Sequence, residues 1–249
     1  MIKEERFEII LKLLEKEVKV TYEKLAEALS VSEDTVRRDV DNLYRNGLLS
    51  KVKGGAMLRS KDPLSFHDRS LFSTEEKSAI ALKALKFIKN GQTLFMDGGT
   101  TICAIAKVLP RDIAVRIVTN NMELIPILKQ FPNVKLVVLG GMYQLETATT
   151  IGAQTIMEAS QFIADIYFMG TCAVDYQFGV SATVKADCDV KRAMIASSRK
   201  TIVLANNNKL SRTEPFKAAD ISEIDILISD IPSDHDELKE FRNLDIQLV

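Results

Sequence analysis

The chain has 249 residues, 46% hydrophobic and 27% charged, with a formal net charge of −1. That size and apolar content suit a globular protein of one or two domains, and the near-zero charge argues against a protein that coats nucleic acid indiscriminately. No apolar run reaches the roughly 20 residues that span a bilayer, and the N-terminal Met1-Ile2-Lys3-Glu4-Glu5-Arg6 is charged where a secretory signal turns apolar, so a cytoplasmic location is expected. Cys103, Cys172 and Cys188 are odd in number and widely spaced, which fits reduced thiols. With His67 and His235 as its two histidines, the sequence offers no metal site, and it carries no cofactor motif.

The charge is unevenly spread. Residues 1–34 carry six Lys and Arg against nine Asp and Glu, a balance of −3, whereas residues 35–60 carry six against two, a balance of +4. A local basic stretch in a nearly neutral chain is the footprint of a DNA-facing surface, though a solvated charged face has the same count. The hydrophobic pattern separates the two. Phe7, Ile10, Leu11 and Leu14 predict a first amphipathic helix over about residues 3–17. Val18 and Val20 suggest a short extended link. Thr21 is placed to cap a second helix with Leu25, Ala26, Ala28 and Leu29 on its apolar stripe, ending near Ser30. Ser32 then reads as the N-cap of a third helix, with Glu33 and Asp34 in its first turn, where the helix dipole favours acids. Val36, Val40, Leu43 and Tyr44 are its expected buried face, and Gly47 its stop. Thr35, Arg37 and Arg38 are left facing outward near the helix N-terminus, as entry into a major groove requires. Leu48 to Lys53 reads as a strand, Gly54-Gly55 as a tight turn and Ala56 to Arg59 as the return, a hairpin wing. Lys51 and Lys53 alternate with Val52, so both amines are expected on one face, within reach of phosphate.

The run Val31-Ser32-Glu33-Asp34-Thr35-Val36-Arg37-Arg38-Asp39-Val40, followed by Leu43, Gly47 and Gly54-Gly55-Ala56, resembles the winged helix-turn-helix of the DeoR family of sugar-metabolism repressors. That resemblance implies a helix-turn-helix over residues 20–39, within a DNA-binding domain of residues 1–59. Ser32, Thr35, Arg37 and Arg38 would touch operator DNA. Lys51 and Lys53 stand in the wing where the family commonly has arginine or histidine, which preserves backbone contact more than base readout.

Residues 60–72 contain Pro63 and few periodic apolar positions and read as a linker. A second domain, residues 73–249, is expected to open with a capping box at Ser73-Thr74-Glu75-Glu76 and a helix whose apolar residues are Ile80, Leu82, Leu85, Phe87 and Ile88, closed by Asn90-Gly91. Thr93 to Met96 predicts a buried strand running through Asp97-Gly98-Gly99-Thr100-Thr101 into a helix carrying Ile102, Ile105, Ala106 and Leu109. Strand, glycine-rich loop and helix present backbone N–H groups and a helix dipole to an anion. The alternation continues with strand 115–119, helix 122–129, strand 134–139, strand 165–169, helix 184–197, and strands 201–204 and 226–228. This is α/β architecture with a largely parallel sheet. Ligands of such sheets gather at the strands' carboxyl ends, which carry Asp97 to Thr101, Thr119-Asn120-Asn121, Gly140-Gly141, Gly170 and Asn206-Asn207-Asn208-Lys209. Each piece alone has a structural explanation as a turn, a cap or a solvated lysine. Their shared position after successive strands favours a phosphorylated polyol.

Asp97-Gly98-Gly99-Thr100-Thr101, Val118-Thr119-Asn120, Leu139-Gly140-Gly141, Ile151-Gly152-Ala153 and Lys191-Arg192-Ala193-Met194 occur in the order found in DeoR-type effector domains. The resemblance implies a ribose-phosphate-isomerase-like α/β sensor domain behind the smaller winged helix-turn-helix. In it Gly98 to Thr101 would cradle phosphate, Thr119 and Asn120 would meet the sugar, and Lys209 would hold its charged or carbonyl end. Asp97, Gly140, Gly141, Lys191 and Asn206 complete the expected effector set. In the isomerases a glutamate acts as base where this chain has Lys191, and an aspartate precedes Ser-Lys where this chain has Asn206 ahead of Asn208-Lys209. No catalytic residue is therefore expected: the chain should bind without turnover. The expected partners are double-stranded operator DNA, a phosphorylated sugar, and further copies of the chain as a dimer or tetramer. The competing expectation is a sugar-phosphate isomerase with an appended DNA-binding domain.

Overall fold

The computed structural model describes residues 2–17, 19–45, 48–58, 66–70 and 73–249. They fall into two compact units, Met1–Phe72 and Ser73–Val249.

In the first unit, α1 (Lys3–Glu17) leads to β1 (Lys19–Thr21), α2 (Tyr22–Leu29), α3 (Glu33–Arg45), β2 (Leu49–Val52), β3 (Gly55–Leu58) and α4 (Phe66–Ser70). Thr21 Oγ1 accepts from Lys24 N at 3.2 Å and starts α2. Ser30 ends α2 in the left-handed region at φ 53°, and Ser32 Oγ accepts from Thr35 N at 3.3 Å to start α3. The two helices follow each other tightly because each terminus is satisfied locally. Ile10, Leu14, Leu25, Leu29, Val36, Val40, Leu43 and Leu49 are completely buried and form one core. β1, β3 and β2 make an antiparallel sheet in that order.

Two expectations change here. Tyr44 is 46% exposed. On a helix it lies about 80° around from Val36, beyond the stripe that Asp39, Val40 and Leu43 complete. Pairing of Val52 with Gly55 makes Lys53-Gly54 the turn, with Gly54 at φ +80°. Gly55 belongs to β3, where a Cβ would stand 2.2 Å from Val20 O. Lys53 therefore sits in the turn and not in alternation with Lys51. The expected linker contains the helix α4. Val18, Gly47, Arg59 and the rest of that linker lie outside the described residues.

The second unit runs α5 (Thr74–Ala84), β4 (Thr93–Met96), α6 (Thr100–Val108), β5 (Arg116–Thr119), α7 (Leu124–Leu128), β6 (Lys135–Val138), β7 (Met142–Gln144), β8 (Thr149–Ile151), α8 (Ala153–Ala159), β9 (Ile166–Gly170), β10 (Ala173–Asp175), β11 (Gly179–Ala182), α9 (Lys185–Ala196), β12 (Thr201–Leu204), β13 (Phe216–Ala219), β14 (Ile226–Ile228) and β15 (Gln247–Leu248). Seven strands form a sheet in the order β15-β14-β12-β9-β4-β5-β6, every neighbouring pair parallel. Phe95, Val118, Tyr167, Met169 and Val203 pack on one face with Ala159 of α8 and Val190 and Met194 of α9. Alternation sends Leu94, Met96, Phe168 and Ile202 to the other face, where α5 and α6 lie against each other and against β14 and β9. β10, β11 and β13 form a small antiparallel sheet, and β7 and β8 a hairpin.

The capping box does not form: Ser73 adopts φ 48° and its side chain caps nothing. Leu82 is 59% exposed because the buried stripe of α5 runs through Lys77, Ile80, Ala81 and Ala84, and Leu82 is about 200° around from Ile80. The helix expected over 122–129 covers Leu124–Leu128.

Candidate DNA-contact helix and effector site

The outward face of α3 carries Arg37 and Arg38 as its apolar patterning requires, with the dipole favouring the acids Glu33 and Asp34 ahead of them. Arg37 and Arg38 side chains are 58% and 81% exposed. Each is held by an acid one turn earlier: Arg38 Nη2 donates to Asp34 Oδ2 at 2.8 Å, and Arg37 Nη2 donates to Glu33 Oε2 at 3.3 Å while its guanidinium lies 4.9 Å from the Tyr22 ring centre. Ser32 is exposed and Thr35 half-buried, their hydroxyls 3.0 Å apart. Behind this face Asp39 is buried and accepts from Arg6 Nε at 2.6 Å and from Arg6 Nη2 at 3.1 Å, tying α3 to α1. Of the wing lysines, Lys51 pairs with Asp41 across to α3, and Lys53 is exposed in the turn.

The expected effector residues stand at the carboxyl ends of β4, β5, β6, β9 and β12, but they do different things there. Asp97 is 1% exposed and its oxygens are taken: Oδ1 accepts from Gly170 N at 2.8 Å, and Oδ2 accepts from Tyr167 Oη at 2.6 Å and from Lys191 Nζ. Lys191 is buried in α9 and also lies 3.5 Å from Asp187 Oδ2. Burial by itself lowers the pKa of the Lys191 ammonium, but the carboxylates of Asp187 and Asp97 outweigh it and hold the pKa above its ordinary value. The site is thus not poor in carboxylates, as the Lys191 and Asn206 positions alone imply.

Beyond Asp97 the chain turns through Gly98 and Gly99 into α6. Gly99, at φ +124°, is the N-cap residue, and no side chain caps this end. Among the described residues, none of the N–H groups of Gly98, Gly99, Thr100 and Thr101 meets a protein acceptor. Gly170 has no room for a side chain: a Cβ there would be 2.5 Å from Gly98 O. Asn121 Nδ2 donates to Asp97 O at 3.2 Å and steadies the same turn.

Thr119 is buried with its hydroxyl donating to Met96 O at 2.5 Å and accepting from Asn121 N at 2.9 Å. Asn120 is fully buried; its Nδ2 donates to Thr150 O at 2.8 Å, and its Oδ1 has no partner. Asn206 and Asn207 likewise carry unpartnered buried amide oxygens. Lys209 Nζ donates to Thr171 O at the end of β9. At Gly140, the N–H donates to Glu158 Oε2 at 2.6 Å and the carbonyl accepts from Thr155 Oγ1 at 2.6 Å, so Gly140-Gly141 anchors α8. Asp187 and Tyr167 are additions to the expected set. The four-residue spacing of Asp187 and Lys191 on a helix is a sequence signal for the first; Tyr167 reads as an ordinary core aromatic until the fold brings Asp97 to it.

Residues 6–62 match the DeoR-like helix-turn-helix domain, and residues 73–231 match the DeoR C-terminal sensor domain. The chain is 34% identical to the glycerol-3-phosphate regulon repressor of Haemophilus influenzae over 91% of its length and 89% of that protein. It is 33% identical to the protein of the same name in Escherichia coli, over 90% and 89%, and 31% identical to the HTH-type transcriptional repressor GlcR of Bacillus subtilis, over 92% and 89%. Ribose 5-phosphate isomerase A from Neisseria gonorrhoeae is similar at 18% identity and a TM-score of 0.39 over 53% of this chain and 52% of that one, too low for any conclusion to rest on. Two domain matches in the right order, and full-length relatives above 30% identity, show that the chain belongs to the DeoR family of transcriptional regulators.

Proposed function

We propose that this protein is a DNA-binding transcriptional repressor of a carbohydrate-metabolism operon, modulated by a phosphorylated sugar or polyol. Residues 1–59 bind the operator, with Ser32, Thr35, Arg37 and Arg38 of α3 at the major groove and Lys51 and Lys53 at the backbone. The effector sits at the carboxyl ends of the parallel strands in residues 73–249, its phosphate on the N–H groups of Gly98 to Thr101. The single observation that carries the sensing half is that free N-terminus: four unpartnered N–H groups and a helix dipole favour a dianion. Relatives named for the glycerol 3-phosphate regulon support the same effector class.

Asp97 and Lys191 hold the site together and do not themselves meet ligand. Asp97 already receives three donors, so it is unsuited to take a proton from a substrate. Relatives named as repressors support binding without turnover over the isomerase alternative. Recognition helices read inverted half-sites in pairs, so the working form is a homo-oligomer.

Electrophoretic mobility shift with the DNA upstream of the chain's own gene tests the first half. Arg37→Ala and Arg38→Ala should abolish the preference for that DNA over random duplex while leaving phosphate binding intact; equal loss of both would mean misfolding. For the second half, inorganic phosphate should raise the melting temperature of the wild-type chain with concentration, and no shift at saturating phosphate would remove the anion site.

A further inference from the structure

We propose that Asp187, together with the amide oxygen of Asn120, reads the hydroxyl groups of the effector's carbon chain and so sets the preference for polyol phosphates over plain phosphate esters. The inference rests on the effector pocket described above. Asp187 stands on the first turn of α9 with its side chain 13% exposed, and its one close charge partner, Lys191, is 3.5 Å away. Among the described residues no donor makes a hydrogen bond to either of its oxygens. A carboxylate has about four acceptor positions, and Lys191 accounts for at most one of them. The contrast with Asp97 is internal to the site: both flank Lys191, but Asp97 receives Gly170, Tyr167 and Lys191.

Asn120 is the independent observation. It is fully buried, and because its Nδ2 is committed to Thr150 O, its Oδ1 is the end left without a donor. Asp97 and Asn120 each follow directly on the last residue of the neighbouring parallel strands β4 and β5, so they stand at adjacent strand ends. Asp97, Lys191 and Asp187 are successive neighbours, and Asn120 closes the adjoining strand end. An unpartnered buried amide oxygen and a half-buried carboxylate that meets only a lysine call for donors, and a carboxylate there repels a second anion. The hydroxyls of a polyol meet both requirements when its phosphate lies at the N-terminus of α6.

Titration calorimetry on the full chain tests this with matched ligands: glycerol 3-phosphate against propyl phosphate, a pentitol 5-phosphate against pentyl phosphate, a hexitol 6-phosphate against hexyl phosphate, and inorganic phosphate alone. At least one polyol phosphate should bind wild type about tenfold or more tightly than its alkyl counterpart. Asp187→Ala should bring that ratio to about one, and the isosteric Asp187→Asn should reduce it by about threefold or more, with inorganic phosphate affinity unchanged. A ratio retained in both variants while inorganic phosphate still binds would overturn the role of Asp187 and leave the pocket standing. Loss of inorganic phosphate binding in both variants would mean a structural role and overturn it equally. Failure of wild type to bind any of these phosphates would remove the pocket itself, and this inference with it.

Discussion

Lys191 shows how one buried charge organises a site. Its ammonium compensates Asp97 in the interior and leaves Asp187 partly satisfied, so removing it strands a carboxylate that cannot reach water. Lys191→Ala is expected to cost about 3–5 kcal/mol of stability in urea unfolding, and adding Asp97→Asn should restore much of it, because the two residues share one interaction. Since the pKa of Lys191 is raised in the folded chain, its contribution is complete at neutral pH and is lost only as the pH climbs above the ordinary lysine value of 10.5. An unfolding free energy of the variant within about 1 kcal/mol of wild type at pH 7 would refute this account. At this scale the sequence discloses residue types well and partners poorly. Ser32, Arg37 and Arg38 are legible because cap and exposed positions follow from local helix geometry. The joining of Arg6 to Asp39, 33 residues apart, and of Asp97 to Lys191, 94 apart, is not.

Among the elements, the wing is where local pattern and structure diverge most usefully. Gly54-Gly55 reads as a turn, yet Gly54 alone supplies the positive φ; Gly55 is needed because β1 passes directly over it. The two glycines should therefore respond differently to the same substitution. Gly54→Ala has open space and pays for its left-handed backbone, about 1–2 kcal/mol, whereas Gly55→Ala drives a methyl into Val20 O and should cost more, on the order of 3 kcal/mol, with loss of β1–β3 pairing. Circular-dichroism melts of the two variants check the order; a larger loss at Gly54 would contradict it. The strands β4, β5, β9, β12 and β14 are legible because both faces are buried, which leaves short continuous apolar runs. In β7, β8, β10, β11, β13 and β15 polar residues, glycine or alanine interrupt the apolar runs, so nothing in their composition separates them from loops.

For the whole molecule, the distribution of charge matters more than its sum. A chain of net charge −1 still carries Arg37, Arg38, Lys51 and Lys53 in its small first unit, and the proposed DNA face of a dimer would present two such sets. With each neutralised phosphate contributing about 0.9 to the slope, the wing lysines of two copies should make log affinity for operator fall with log salt by about 2 to 4; the lower end applies if Lys51 stays with Asp41. Fluorescence anisotropy across a salt series measures it, and a slope near zero would exclude backbone contact by this face. Effector control adds a second requirement: the ligand must bind the two operator-affinity states unequally, since equal affinity shifts nothing.

Sequence alone determined the order of domains, the helix-turn-helix and its outward arginines, and the parallel α/β class, because each rests on periodicity, caps and punctuation acting over a few residues. Tertiary structure alone decided which strand-end groups have protein partners. Gly140, Thr119 and Asp97 look like binding groups in the chain, and the fold satisfies them with Glu158, Met96 and Lys191. Asn120 keeps an unpartnered amide oxygen, and Asp187 meets only Lys191 among the described residues. The physical reason is that hydrogen-bond satisfaction is a property of three-dimensional neighbours, and in a parallel sheet those neighbours come from crossovers tens of residues away.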